Sequence, residues 1–217
     1  MIENFYNIVN KYVRNEDIKV ILDLGARDLE QSIEFSKIYG NAIIYAFECS
    51  PRQYKICLDK AKDYINIKVC GKAVHDRDGK CDFYQIDVVK HNNCGASSLF
   101  KASGKYDYIE PLPQYKINVE CTRFDTFCKE NGINNIDLIW MDVQGAELLA
   151  LKGLGNLIDN VKAIYTEVLY QEIYTGQALF GELDKFLSSH GFVLMGTDGE
   201  GFSSWWTNGI YINKRLM

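Results

Sequence analysis

Hydrophobic positions along this chain follow two alternating rhythms. Residues 2–14 set Ile2, Phe5, Ile8, Val9 and Tyr12 on one face at helical spacing, which predicts a short N-terminal helix. Residues 19–25 form an apolar run closed by Gly25, the pattern of a buried strand entering a turn. Helical spacing returns over 28–39 through Leu29, Ile33, Phe35 and Ile38. A second apolar run, 42–47, stops at Glu48, and Pro51 opens a helix faced by Tyr54, Leu58 and Ala61. Residues 65–69 predict a third short strand.

The rhythm breaks at about 75–120. Asp78-Gly79 reads as a hairpin turn, with alternation in Cys81, Phe83 and Gln85 and again in Tyr115, Ile117 and Val119. The polar stretch 91–98 lies between them. This region is expected to be strands and long loops inserted at one edge of the fold. Strand and helix patterns then resume: helix 123–131 stopped by Gly132, strand 136–141 ending at Asp142, helix 146–154, strand 161–166 ending at Glu167, and helix 179–187. Residues 192–195 and 209–212 read as two last strands joined by a glycine-rich turn, too close in sequence to pair other than antiparallel.

Alternating strands and helices imply a parallel sheet covered on both faces. The expected fold is therefore α/β: a Rossmann-like three-layer sandwich with a mostly parallel sheet and an antiparallel C-terminal strand pair. No composition shift divides the 217 residues, so one domain over 1–217 is expected. The net charge of −5, without a Lys/Arg block, leaves no footprint for general nucleic-acid binding. Seven cysteines lack C-x-x-C spacing, which argues against a zinc site or disulfide framework and for a reducing compartment. The first residues carry Glu3 and no apolar core, unlike a signal peptide, and no apolar run is long enough to span a membrane; the expected location is cytoplasmic.

Ligands of open α/β sheets bind outside the carboxyl ends of the strands. Four acids stand at such ends here: Asp23, Glu48, Asp142 and Glu167. Asp23 and Gly25 read either as a cofactor loop, where glycine admits close backbone approach, or as a plain strand-to-helix turn. Glu48 lies 23 residues beyond Gly25, near the spacing at which an acid takes both ribose hydroxyls. Its alternative role is a helix N-terminal acid before Pro51.

These blocks resemble the FkbM-type methyltransferases, S-adenosylmethionine-dependent enzymes of Rossmann-like fold. The resemblance rests on Asp23-Leu-Gly-Ala-Arg-Asp28, Phe47-Glu-Cys-Ser-Pro51 and above all Asp142-Val-Gln-Gly-Ala-Glu147. Residues 73–79, 95–99, 122–125, Glu167 and 208–212 extend it to about 19–213. It implies S-adenosylmethionine as cofactor, with Asp23, Gly25, Ala26 and Arg27 in the loop under the methionine part and Glu48 on the ribose. Cys49, Lys72, Ala73 and Val74 would border the adenine, and Asp142 with Gln144, Gly145 and Glu147 would floor the place where donor and acceptor meet. It further implies O-methylation of a sugar hydroxyl on a glycan or related small molecule, and association with a glycosyltransferase. Where the family loop has Asn-x-Gly, this chain has Arg27 and Leu29. Leucine cannot take a positive φ cheaply, so the loop is expected to curve differently or sit farther from the ligand.

A sugar hydroxyl needs help to lose its proton, and Asp142 is the first candidate base, followed by Glu147, Glu167 and the loop residue His91. Asp142 and Glu167 are also the candidate ligands of a divalent metal. The competing role for Glu147 and Glu167 is bracing their loops by accepting backbone N–H bonds. Ser97 and Ser98 are candidates to line the acceptor pocket; Tyr106, Tyr108, Trp205 and Trp206 are expected in loops, where aromatic faces suit sugar rings. Two other readings stand beside the methyltransferase: a Rossmann-type nucleotide-dependent enzyme, weakened because the loop lacks the third glycine of G-x-G-x-x-G, and a non-catalytic scaffold of the same fold.

Overall fold

A computed structural model describes residues 2–105, 112–198 and 205–217. Its first element is helix α1 (Ile2–Val9), shorter than the predicted 2–14. After Val9 the chain tightens into turns, with the N–H groups of Tyr12 and Val13 both donating to the Val9 carbonyl, before a 3-10 turn at Asn15–Asp17. The main sheet then begins: β1 (Val20–Leu24), α2 (Glu30–Ile38), β2 (Ile43–Phe47), α3 (Pro51–Ala61) and β3 (Ile67–Cys70). It resumes with α4 (Phe124–Asn131), β7 (Leu138–Met141), α5 (Glu147–Gly153), β8 (Ala163–Leu169), α6 (Phe180–Ser189), β9 (Phe192–Asp198) and β10 (Trp206–Asn213). Between the two halves lie β4 (Ala73–Val74), β5 (Gly79–Ile86) and β6 (Gln114–Thr122).

The seven-stranded sheet has the order β3-β2-β1-β7-β8-β10-β9. β1, β2, β3, β7 and β8 are parallel; β10 enters antiparallel between β8 and β9. The α/β fold and the antiparallel C-terminal pair are thus as the hydrophobic pattern indicates. The four core strands carry almost unbroken apolar burial because each sheet face has its own core. One face packs Leu22, Leu24, Phe47, Ile139, Met141 and Ile164 under α4, α5 and α6. The other packs Ile21, Ile44, Trp140 and Tyr165 against Phe5 of α1 and Phe35 of α2. Phe5 meets Phe35, Trp140 and Tyr165 edge-on, so α1 closes this second layer.

The inserted region forms a separate three-stranded sheet in the order β4-β6-β5. This corrects the hairpin expected at Asp78-Gly79. That turn joins β4 to β5, which flank β6 on opposite sides; β5 pairs antiparallel with β6 instead. Long-range hydrogen bonds explain the difference. The Asp78 carboxylate accepts from Arg123 N at 2.9 Å, Thr126 Oγ1 at 2.8 Å and Thr122 Oγ1 at 3.2 Å, tying the turn to the β6–α4 junction. Trp206 also differs from its expected loop setting, since it starts β10. Tyr106, Tyr108 and the glycine-rich turn lie outside the described residues.

At the edge of the sheet where β1 and β7 begin, a single buried acid staples the strands. Asp137 is 2% exposed and accepts from Lys19 N at 2.8 Å and Val20 N at 2.9 Å. It also pairs with Lys162 Nζ at 2.9 Å. Replacing it with alanine removes the acceptor of two backbone N–H groups and the carboxylate partner of Lys162, whose Nζ keeps only the Asp17 carbonyl; the loss costs about 3–5 kcal/mol. Asp137→Ala is expected to lower the thermal midpoint by roughly 6–15 °C. A calorimetric scan checks this, with Asp137→Asn retaining part of the loss because the amide oxygen still accepts.

Candidate active site

The site grows from the turns that leave the carboxyl ends of three adjacent parallel strands. After β1 the chain turns at Gly25 (φ +84°), whose N–H, like that of Ala26, donates to the Phe47 carbonyl at 3.0 Å. Asp142 N donates to the Leu24 carbonyl at 3.0 Å, so the loop after β7 lies against the loop after β1. The approach is close enough that a Cβ on Gly25 would fall 2.0 Å from the Asp142 carbonyl oxygen. Glycine is therefore required here by packing as well as by φ.

A cavity of about 370 Å³ opens above these turns. It runs from the ends of β2 and β3 and the inserted sheet, past Gly25, to β8 and β10. Of the expected cofactor residues, Gly25, Arg27, Glu48, Cys49, Lys72, Ala73, Val74, Asp142 and Gln144 all line it. Asp23 and Ala26 do not: both are buried beneath the loop. Asp23 accepts a 2.5 Å bond from Ser32 Oγ and so anchors α2 to β1. Phe83 and Leu99 add an apolar wall beside Cys49 and Val74. Nothing about Phe83 beyond strand alternation marked it for the site, because the inserted sheet reaches the cavity only through tertiary packing.

The loop does not curve away at Leu29. Leu29 itself adopts the left-handed conformation, φ +73° and ψ 10°, and Arg27 has φ +47°. The backbone thus keeps the path a glycine would give it. The Leu29 side chain is fully buried in the α1/α2 core, and that burial offsets a strain of about 1–2 kcal/mol.

Glu48 is 8% exposed and holds the first loop in place. Its Oε2 accepts from Arg27 N at 2.9 Å and its Oε1 from Ser50 N at 2.7 Å. Each carboxylate oxygen keeps a second lone pair for a ligand hydroxyl. Burial pushes its pKa up to about 7, against the pull of the Ser50 and Arg27 N–H groups. Burial likewise raises Asp23 to about 6 and Glu147 to about 7.

The acids expected to do chemistry separate by placement. Asp142 and Glu167 line the cavity; Glu147 and His91 do not. Glu147 is buried, and its Oε1 accepts from Val143 N at 3.1 Å and Gly145 N at 3.2 Å, bracing the loop that carries Asp142. His91 stays in its own turn, where Nδ1 accepts from Asn93 N at 3.2 Å. Asp142 is open to the interior of the cleft, yet the enclosing protein raises its pKa by desolvation. Glu167 rises well above the carboxylate range through burial first and then the charges of Asp142 and Glu147.

Gln144 links the two. Its Nε2 donates to Asp142 Oδ1 at 2.6 Å and to Glu167 Oε2 at 3.2 Å. Its backbone takes φ +52°, held by Ser98 Oγ donating to its carbonyl at 2.6 Å and by Tyr174 Oη bonding its Oε1 at 2.7 Å. Ser98 thus acts from behind the site, while Ser97 lines the cavity. An amide N–H aimed between two carboxylates stabilises their negative charge but opposes a cation in the same place. Among the described residues no group of three or more His, Cys, Asp or Glu side chains is arranged to hold a metal. The donor set at Asp142 and Glu167 does not fit a divalent cation.

The family model described as the methyltransferase FkbM domain matches residues 23–194. The 2-O-methyltransferase NoeI of Sinorhizobium fredii is 33% identical over 166 residues, covering 73% of this chain and 66% of that protein. The matched stretch thus spans just under two thirds of that relative. The methyltransferase FkbM of Methylobacillus flagellatus superposes with a TM-score of 0.60 at 13% identity, over 93% of this chain and 45% of its own. Aeropyrum pernix fibrillarin, solved with bound S-adenosyl-L-methionine, gives 0.55 at 15% identity, over 92% and 68%. The last two likenesses are of fold. Among the described residues no helix is long and apolar enough to cross a membrane.

The raised acids predict how stability depends on pH. Asp23, Glu48 and Glu147 bind protons more tightly in the folded protein than in the unfolded chain, where carboxyls titrate near about 4. Folding therefore takes up protons between about pH 4 and 7, and stability falls as pH rises through that window. The thermal midpoint of the ligand-free protein is expected to drop between pH 5 and 7.5, and Glu48→Gln to flatten the slope. A slope of the opposite sign contradicts the assignment.

Proposed function

Because the chain belongs to the FkbM methyltransferase family, we propose that it is an S-adenosylmethionine-dependent O-methyltransferase acting on a hydroxyl of a sugar, in a glycan or related small molecule. The observation that carries this reading is the placement of Glu48 and Asp142 on either side of Gly25 along one cavity. The order of groups along that cavity matches the order of groups in the cofactor. The apolar wall of Cys49, Val74 and Phe83 suits a purine, the free lone pairs of Glu48 suit ribose hydroxyls, and the glycine cradle admits close backbone approach. The cofactor, when bound, supplies a methyl group already activated on a sulfonium.

The chain's own part is alignment and proton removal. Arg27 and Glu48 shape the loop, since the Arg27 N–H is held on the Glu48 carboxylate. Asp142 accepts the proton of the acceptor hydroxyl, and Gln144 keeps its oxygen oriented through the 2.6 Å bond. Glu147 holds the Asp142 loop and does not meet the acceptor. The sugar acceptor follows from the relative's 2-O-methyltransferase name and from the polar cavity beyond Asp142. The group that takes the hydroxyl's proton is a carboxylate, with no metal invoked. The proposal includes association with a glycosyltransferase, which the family likeness suggests, and a single domain over 1–217 in a reducing, cytoplasmic compartment, which composition and cysteine usage suggest.

S-adenosylhomocysteine at about a hundred times its dissociation constant is expected to stabilise the protein by roughly 2.7 kcal/mol, raising the thermal midpoint by roughly 5–10 °C. NADH at the same concentration is expected to leave the midpoint unchanged, and Glu48→Ala to abolish the shift. A shift with NADH alone favours the nucleotide-dependent oxidoreductase. No shift with either ligand in folded protein favours the scaffold.

A further inference from the structure

The inserted sheet leaves one edge only half covered. β5 is its outer strand, paired with β6 on the inner side. On the outer side Tyr84 N donates to the Ser98 carbonyl at 2.7 Å and Ser98 N to the Tyr84 carbonyl at 3.1 Å. Ile86 N likewise donates outward, to Ser97 Oγ at 3.0 Å. Backbone groups alternate sides along a strand, so those of Lys80 and Asp82 also point outward. Among the described residues no hydrogen bond reaches them. The segment that could have met them turns away after Ser98. Phe100 N donates back to Ser98 Oγ at 2.9 Å, and Ala102 bridges to Tyr174 in the loop after β8.

That departure opens a groove of about 270 Å³ along residues 80–82. Leu99 is the one residue it shares with the cavity over Gly25. Leu99, Phe100 and Leu149 give the groove apolar surface, and Arg77 and Lys80 give it charge. Arg77 is exposed, and among the described residues no acid pairs with it. Lys80 has Glu120 at 3.6 Å on the outer face of the sheet. The acid in the lining, Asp82, is already met by Lys116 Nζ at 3.1 Å and Asn118 Nδ2 at 2.8 Å. The groove is therefore short of negative charge. A small anion would answer the cations and leave the outward N–H and C=O groups to water. An extended acidic chain answers both.

We propose that the free edge of β5 docks an extended acidic segment of another protein, added as a strand in the line that Ser98 begins. Its main chain bonds Lys80 and Asp82, an apolar side chain enters beside Leu99, Phe100 and Leu149, and a carboxylate meets Arg77. A second copy of β5 fits less well, because its edge carries the same cations. The docking edge stands apart from the methyltransferase reading and does not depend on it.

Fluorescence polarisation of the full chain with a labelled Glu-Val-Glu-Ile-Glu-Val-Glu peptide tests this. The peptide is expected to bind at least about tenfold more tightly than its counterpart with lysine at each glutamate. Methylating every backbone nitrogen keeps the side chains and removes the N–H donors, and is expected to cost about tenfold or more. Arg77→Glu is expected to weaken binding about tenfold while the thermal midpoint holds. Amide exchange followed by NMR locates the contact: the Lys80 and Asp82 N–H groups are expected to exchange more slowly with the acidic peptide bound. No binding by folded protein overturns the proposal. So does equal binding of the lysine or the N-methylated peptide, or protection confined to residues away from β5. A dimer in sedimentation that Asp82→Pro returns to monomer assigns the edge to a second copy and overturns it too. That substitution removes an outward N–H and spares the ladder to β6.

Discussion

The closeness of two backbone turns governs the rest of the structure. Gly25 and the Asp142 carbonyl approach so tightly that no side chain fits between them. That contact needs β1 and β7 to be adjacent, parallel and in register to their last residues, which the Leu24–Met141 pairing provides. It brings Glu48, one strand away, and Asp142 into one cavity, because the Gly25 and Ala26 N–H groups are fastened to the end of β2. Were the two loops farther apart, the carboxylates would face solvent separately and neither would be desolvated.

The site is kept in order by constraint from several directions. Arg27, Leu29 and Gln144 are the described non-glycine residues with positive φ, and each borders the cavity or supports its wall. Such residues cost about 1–3 kcal/mol apiece and persist where their surroundings over-determine them. Leu29 is fixed by core packing, Arg27 by the Glu48 carboxylate, and Gln144 by Ser98 and Tyr174. The last pair matters most for chemistry. Ser98 comes from the region between the inserted strands and Tyr174 from the loop after β8, so both set the angle of the amide that orients Asp142. Glu147 completes the frame from α5.

Much of this was legible in the residues. Unbroken apolar runs ending in an acid or glycine located the carboxyl ends of β1, β2 and β7, and so the end of the sheet where the cavity lies; β8 instead runs on through Glu167 to Leu169. Glu48 was visible from its distance to Gly25, and the loop-bracing alternative for Glu147 from its place at a helix start. Three features were out of reach. The Asp78-Gly79 turn carried a local hairpin signal, but its partners, Thr122, Arg123 and Thr126, are more than forty residues away. Leu29 breaks the rule that left-handed positions go to glycine, because core burial outweighs the local preference. Asn208 joins the site only through the antiparallel insertion of β10 beside β8, a tertiary event that no short-range pattern encodes.

In the proposed reading the cavity over Gly25 receives the cofactor with its ribose on Glu48 and its sulfur beside Asp142. A crystal structure grown with S-adenosylhomocysteine tests this most directly. Both ribose hydroxyls are expected within hydrogen-bond reach of the Glu48 carboxylate, with the adenine against Cys49 and Val74 and the sulfur facing Asp142. Density for the ligand elsewhere on the protein, or in this cavity with Glu48 contacting no ribose oxygen, would contradict it.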